Sequence, residues 1–426
     1  LSDALPESSS PSLVGDSVSE QVDAPKSGPI RKRIKKGHLW RKHRPILSVL
    51  ALLILGWVLY GLVWPPIEIR RQIATTKWKY APNDMNISLA YRVMLRTCEY
   101  LYCFWFFYFG ASIGSFINVV ANRTPQGKSI IWRGSHCPFC DRRLTMLDNM
   151  PIFGWIALRG RCRSCHLPIA PRYLIMEIVV GWIFMSLALI ELMGNGMNLP
   201  HRDWKIGSGI VYTVFYPKWD LIGAYMVHAS LFAVVVMVIA SHMDRLRFPV
   251  LPMVVIGAIY IACATYHPIV APVRWVEPWG PTYPRTMSVP WERLATSLIG
   301  LAAGGLMGLG YSALLWQAFF RPIQSADDST GIARWLYHSL CIFMLTGGLL
   351  GWQVVVQVGI VATSLVVLAV RTLSVGDAVG LAKDPWMRPQ VLALAILTTT
   401  LLLHHLCWRL VAFVPFLPFL PIPPVS

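Results

Sequence analysis

Four cysteines stand in two pairs, Cys137-Pro-Phe-Cys140 and Cys162-Arg-Ser-Cys165, about twenty residues apart. A Cys-x-x-Cys turn offers two sulfurs to one ion, and zinc takes four thiolates as a tetrahedron, so two such turns predict a closed structural zinc site. Four protein ligands leave no position for water, and the expected role is structural, not catalytic. His136 and His166 each adjoin a cysteine and are the alternative ligands. Two redox pairs or disulfides are the competing reading, which a cytoplasmic location disfavours. Cys98, Cys103, Cys263, Cys341 and Cys407 fall within or beside apolar segments and read as small packing residues.

The elements that carry these pairs are apolar and long. Of 426 residues, 55% are hydrophobic and 14% charged, against about a quarter charged in a soluble domain. The apolar residues lie in runs of about twenty, the length a helix needs to cross a bilayer. The expected fold is an all-α polytopic membrane protein with about nine transmembrane helices, carrying a small cytoplasmic zinc-knuckle domain between the second and third spans. The formal charge of +17 invites a nucleic-acid reading. Lys and Arg collect on cytoplasmic loops of membrane proteins, however, and topology alone accounts for that excess. The expected partner is the lipid bilayer, and no nucleic acid.

In chain order, residues 1–45 form a disordered basic extension, rich in Ser, Pro, Asp and Glu before Arg31-Lys-Arg-Ile-Lys-Lys36 and Arg41-Lys-His-Arg44. Leu1 as first residue points to a trimmed start or an unusual start codon. An anchor helix follows at 46–65 with its N-terminus in the cytoplasm. No small-residue cleavage site follows it, which argues against a signal peptide, and Pro65-Pro66 is expected to end the helix. Residues 66–99 read as an external loop. The domain with the cysteines covers 100–193, and between Arg123 and Arg172 basic residues face only two acids, Asp141 and Asp148. That bias places the cysteine loop inside the cell. An external loop at 194–220 leads to a membrane domain at 221–413, with spans expected at 221–240, 250–264, 294–320, 335–350, 352–370 and 391–413. A Pro-rich tail, 414–426, closes the chain. No internal repeat stands out.

Over 110–177 a longer pattern emerges. Gly114-Ser-Phe-Ile-Asn-Val, Arg123, Pro125, Cys137-Pro-x-Cys140, Asn149-x-Pro151, Leu158-Arg-Gly-Arg-Cys162, Cys165, Pro168-Ile and Pro171-Arg-Tyr173 followed by Glu177 stand in characteristic order. In these positions the chain resembles the N-terminal domain of the type IV prepilin peptidases, membrane aspartic proteases that process pilins and type II secretion pseudopilins. The resemblance implies a multi-pass protein of the bacterial inner membrane. It implies removal of a short basic leader after a Gly, just ahead of the hydrophobic helix of a prepilin or pseudopilin. Many members also methylate the new N-terminus with S-adenosylmethionine, an activity associated with this domain.

The resemblance further implies two catalytic aspartates at the cytoplasmic ends of membrane helices. Two close carboxyls cannot both ionise, so one serves as base on water and the other as acid at the carbonyl. Asp244, in Ile239-Ala-Ser-His-Met-Asp244-Arg-Leu-Arg-Phe-Pro249, follows an apolar span and precedes a proline, as the first aspartate does. A helix-end aspartate held by Arg245 or Arg247 is the plainer reading. The second aspartate belongs in Gly-x-Gly-Asp. Counting back from Gly347-Gly-Leu-Leu-Gly-Trp-Gln353 lands near His338-Ser339, with no aspartate there. Gly308-Leu-Gly-Tyr311 reads as a helix-packing cluster. Asp377, in Val375-Gly376-Asp377, keeps a Gly-Asp pair on the membrane face of Asp244; Asp327 and Asp328 share that face. The expected catalytic pair is Asp244 with Asp377. The alternatives are an aspartate at 327 or 328, or a degenerate homologue acting as a membrane assembly component or as a methyltransferase alone.

Overall fold

The computed structural model describes residues 36–75, 88–132, 134–200, 209–272, 290–320, 331–371 and 388–411. Residues 1–44 and 45–426 are separate units, and the described part of the first is the opening of α1. Among the described residues the fold is helical throughout, apart from two isolated bridges in the cysteine loop. The helices are α1 (Lys36–Trp57), α2 (Trp64–Thr75), α3 (Leu89–Arg123), α4 (Phe153–Leu158), α5 (Arg172–Leu187), α6 (Ile210–Phe215) and α7 (Trp219–Met243). Then follow α8 (Val250–Tyr266), α9 (Pro290–Leu315), α10 (Gly331–Leu350), α11 (Trp352–Arg371), α12 (Pro389–Leu406) and the short α13 (Trp408–Val411).

Helices stand at all nine positions expected to cross the membrane. Seven are long and apolar enough to do so among the described residues. Helix α8, at 17 residues, is shorter, and α10 carries buried His338, Ser339 and Thr346, which dilute its apolar content. The protein is a multi-pass membrane protein. Leu52, Trp105 and Leu306 leave 66%, 68% and 73% of their surface uncovered, an apolar exterior suited to lipid.

Backbone approach at glycine fixes the two tightest helix pairs, because dispersion contacts rather than water exclusion hold helices together in lipid. On α9, a Cβ at Gly300 would meet the Gly347 carbonyl oxygen at 2.0 Å, and one at Gly304 would meet the Phe343 oxygen at 2.3 Å. Gly308 lies against Leu340, so the cluster read as helix packing packs on α10. On α3, a Cβ at Gly114 would meet the Glu177 Cα at 2.9 Å. The motif glycine thereby brings α5, with Glu177 on it, directly onto α3.

Two expectations about the N-terminal part are corrected. Pro65-Pro66 does not end the anchor helix: a π-turn at Val58–Val63 leads straight into α2, with both prolines in its first turn. There the missing N–H is tolerated. The stretch 66–99 is not a simple loop either, since α2 runs to Thr75 and α3 begins at Leu89; residues 76–87 lie outside the described residues. Among its described charges, Arg96 ties α3 to α2. Arg96 donates to Glu68 at 2.8 Å and to Glu99 at 2.7 Å, and Tyr60 donates to Glu99 at 2.7 Å.

Candidate functional site

The two cysteine turns are one structure used twice. Asp141 and His166, each just after the second cysteine of a pair, have φ of 53° and 57°. The N–H of Asp141 donates to the Cys137 carbonyl and that of His166 to the Cys162 carbonyl. Cys137 N–H donates to Arg142 O and Cys162 N–H to Leu167 O, and a bridge closes each turn, His136 with Arg143 and Arg161 with Pro168. The sequence reading found no repeat because the two turns share backbone geometry and little else besides cysteine.

All four sulfurs lie within 4.8 Å of one another. Cys137 and Cys165 approach to 3.8 Å, Cys140 and Cys162 to 3.9 Å. Four thiolates on one zinc at about 2.3 Å stand about 3.8 Å apart, so this donor set fits the ion. Backbone N–H groups of Cys165 and Ser164 pull the Cys162 thiol down to about 6. The Leu167 N–H pulls on Cys165 as well, but burial and the other three sulfurs outweigh it and push that thiol to about 11. Four thiolates in so small a space require a cation among them. A bound zinc would supply that charge and crosslink the two turns. His136 is turned away, its Nδ1 on Gly134 O at 3.0 Å and its Nε2 3.7 Å from Asp141. None of the nine cysteines forms a disulfide.

Between the cysteine loop and the ends of α3, α5 and α7 lies a cavity of about 800 Å³. Cys137, Trp155, Asp148, Glu177, Arg172 and Asp244 all reach its wall. Glu177 is 7% exposed and accepts a 2.6 Å bond from the N–H of Ile152, a β-branched residue at φ 63°. The carboxylate thus pins the strained start of α4 to the membrane helices. Asp148 accepts from Arg163 at 2.5 Å and 3.0 Å. Burial pushes its pKa up, but Arg163 and Thr145 pull harder and hold this carboxyl below the usual range.

Asp244 caps the C-terminal end of α7. Arg172 donates to both of its oxygens, through Nη1 to Oδ1 and through Nη2 to Oδ2, the latter at 2.9 Å. Asn122 adds a 3.1 Å bond to Oδ2. The backbone on both sides of Asp244 is held as well: Arg388 donates to Met243 O at 3.2 Å and Arg334 to Arg245 O at 3.1 Å. His338, where the count from the glycine-rich stretch led, is fully buried and shares a 2.9 Å bond with His242. Asp377, Asp327 and Asp328 lie outside the described residues. The partner of Asp244 is Arg172, not the adjacent Arg245 or Arg247. Arg172, Asn122 and Glu177 were the residues that sequence reasoning gave no role; Pro171-Arg-Tyr173 followed by Glu177 carried the signal for two of them, and Asn122 stood only as the neighbour of Arg123.

Residues 108–190 match the family model of the bacterial peptidase A24 N-terminal domain. This segment is a prepilin-peptidase N-terminal domain. The chain is 41% identical over 86 residues to a prepilin leader peptidase/N-methyltransferase of Myxococcus xanthus, covering 20% of this chain and 26% of that protein. A protein of the same name from Klebsiella pneumoniae is 36% identical over 106 residues, 24% of this chain and 46% of its own length. One from Dichelobacter nodosus is 24% identical over 182 residues, 36% of this chain and 55% of its own. The chain therefore spans from about a quarter to about half the length of these relatives. No solved structure matches it. The prepilin-peptidase N-terminal domain contributes the whole cysteine loop, Arg172 and Glu177, while Asp244 lies beyond its matched residues.

Proposed function

We propose that the protein is a membrane-embedded endopeptidase that removes the leader from prepilin-type precursors, pilins or type II secretion pseudopilins. The observation that carries this reading is the shared cavity: Asp244, at a membrane-helix end, opens into the same space as the cysteine domain. A precursor whose basic leader lies at that face and whose apolar helix lies in the bilayer presents its scissile bond level with Asp244. The excess of basic residues between Arg123 and Arg172 supports a cytoplasmic face for this site in a bacterial inner membrane.

In this proposal Asp244 and Asp377 form the acid pair. One carboxylate takes a proton from water as its oxygen attacks the scissile carbonyl carbon, and the other, protonated, donates to the carbonyl oxygen. The C–N bond then breaks and the amine leaves with a proton. Arg388, at the return from the segment holding Asp377, sits on the Met243 carbonyl. Eleven residues of chain reach from there back to Asp244 with ease. Zinc on the four cysteines would hold the domain's shape, and S-adenosylmethionine would be the methyl donor if the new N-terminus is methylated.

A second reading rests on His338 and Arg172. An imidazole stands near the place where the resemblance calls for the second aspartate, and Arg172 occupies both oxygens of Asp244. Both fit a non-cutting homologue that binds or methylates precursors. Purified protein incubated with a synthetic precursor and S-adenosylmethionine, followed by mass spectrometry, separates the readings. Loss of the leader mass supports the peptidase. Gain of one methyl on an uncut or pre-cut chain, without leader loss, supports the second reading, and so does no change.

A further inference from the structure

The opposite end of the helix bundle holds three ionisable side chains that this proposed function leaves unused. Helix α5 continues past Leu187 through a π-turn, Ala188–Met193, that carries Glu191. At about 1.5 Å per residue, Glu191 lies about 28 Å along the helix from Arg172, far from Asp244. Extra-residue turns of this kind are frequent where a helix must aim a functional side chain. Here the turn aims Glu191 at His228 of α7 and His405 of α12. All three residues are completely buried. Glu191 Oε1 lies 2.9 Å from His228 Nδ1 and 2.8 Å from His405 Nε2. The three donor atoms lie within 4.8 Å of one another.

Hydrogen bonding does not complete this cluster. Glu191 Oε2, His228 Nε2, His405 Nδ1 and Asn198 Oδ1 are buried without a partner. Asn198 adds only its Nδ2, at 3.3 Å to Glu191 Oε1 and 3.2 Å to the His405 carbonyl. Among the described residues no Lys or Arg pairs with Glu191. A buried carboxylate needs a compensating positive charge, and several unpartnered acceptors around it amplify that need.

We propose that Glu191, His228 and His405 bind a divalent transition-metal ion of the zinc class. Two imidazoles and a carboxylate are a common donor set for such ions. Donors about 2.1 Å from one ion stand about 3.0–3.4 Å apart at right-angle to tetrahedral spacing, so the observed separations need to open by only a few tenths of an ångström. In the metal-bound form each imidazole would carry its proton on the outer nitrogen, His228 Nε2 and His405 Nδ1, and the cation would answer the charge on Glu191. The Asn198 amide oxygen, buried without a partner, or a water would complete the shell. The ion would tie α5, α7 and α12 together on the face opposite the cysteine loop.

The full-length wild-type chain, purified in detergent without chelator, tests this by metal analysis and X-ray absorption. Two ions per chain are expected, one with a sulfur shell and one with a nitrogen/oxygen shell. Cys137→Ser should remove only the first and His405→Gln only the second. A single ion per chain in an all-sulfur shell, unchanged in His405→Gln, overturns the proposal. Should His405→Gln fail to fold, cobalt added to the metal-stripped wild type decides. Bands of a nitrogen/oxygen-ligated cobalt beside the thiolate charge-transfer bands uphold the site, and thiolate bands alone overturn it.

Discussion

Arg172 grips both carboxylate oxygens of Asp244, joining the first turn of α5 to the last of α7. Their side chains are 18% and 14% exposed. Breaking a buried pair from one side costs about 3–5 kcal/mol, and partial exposure lowers that to about 2–3 kcal/mol. Arg172→Gln should lower thermal stability in detergent by that amount. Arg172→Gln with Asp244→Asn should lose less than the arginine change alone, because no charge is stranded. Additive losses would show that the two side chains do not depend on each other.

Two glycines of α9 should respond in opposite directions to the same change. Gly300→Ala sets a methyl against the Gly347 carbonyl, where the added Cβ has 2.0 Å. It should force α9 and α10 apart and cost about 1–3 kcal/mol or more. Gly310 has nothing within 4 Å, so Gly310→Ala should leave stability unchanged or raise it by up to about 1 kcal/mol through helix propensity. Thermal melts of the two variants side by side check the contrast, and equal losses would contradict the α9–α10 contact.

In the metal-stripped protein, Cys162 should ionise well before an ordinary thiol. Its folded value of about 6 lies below the ordinary 9.0. Below about pH 6 the thiol is protonated in both folded and unfolded chains and contributes nothing. Its stabilising contribution grows as pH rises from about 6 toward 9 and is complete above 9. Thiolate absorbance should show one step near pH 6 that Cys162→Ser removes. A first step above pH 8 in the wild type would contradict the backbone N–H arrangement around this sulfur.

Glu177 should matter for docking of the loop and not for its metal. Glu177→Ala removes the acceptor of the Ile152 N–H at 2.6 Å. Amide exchange across α4 should accelerate at least tenfold, corresponding to the loss of about 1.4 kcal/mol or more for a bond to a charged acceptor, while zinc content stays unchanged. Exchange left as slow as in the wild type would remove Glu177 from this role.

The helices and the cysteine cluster were legible because each follows from local pattern: apolar runs of membrane-crossing length and paired thiols at fixed spacing. Pro65 and Pro66 misled because their effect depends on the π-turn ahead of them, which no residue type announces. Arg172 was visible only as part of a family motif. Its role arises from packing that sets residue 172 beside residue 244, a relation between two helices that periodicity in either cannot encode. The Glu191 cluster joins residues up to 214 positions apart, and each alone reads as an isolated polar residue in an apolar run. Near the place where the resemblance calls for the second aspartate, α10 carries His338, and counting could locate that position but not its bond to His242 of α7.

Participation of Asp244 in leader removal is read from the mass of a prepilin-type precursor co-expressed with the wild type, Asp244→Asn or Asp377→Asn. The precursor should be shortened by its leader with the wild type and stay at full length with either variant. Shortening that persists with Asp244→Asn, at the wild-type rate, would contradict it.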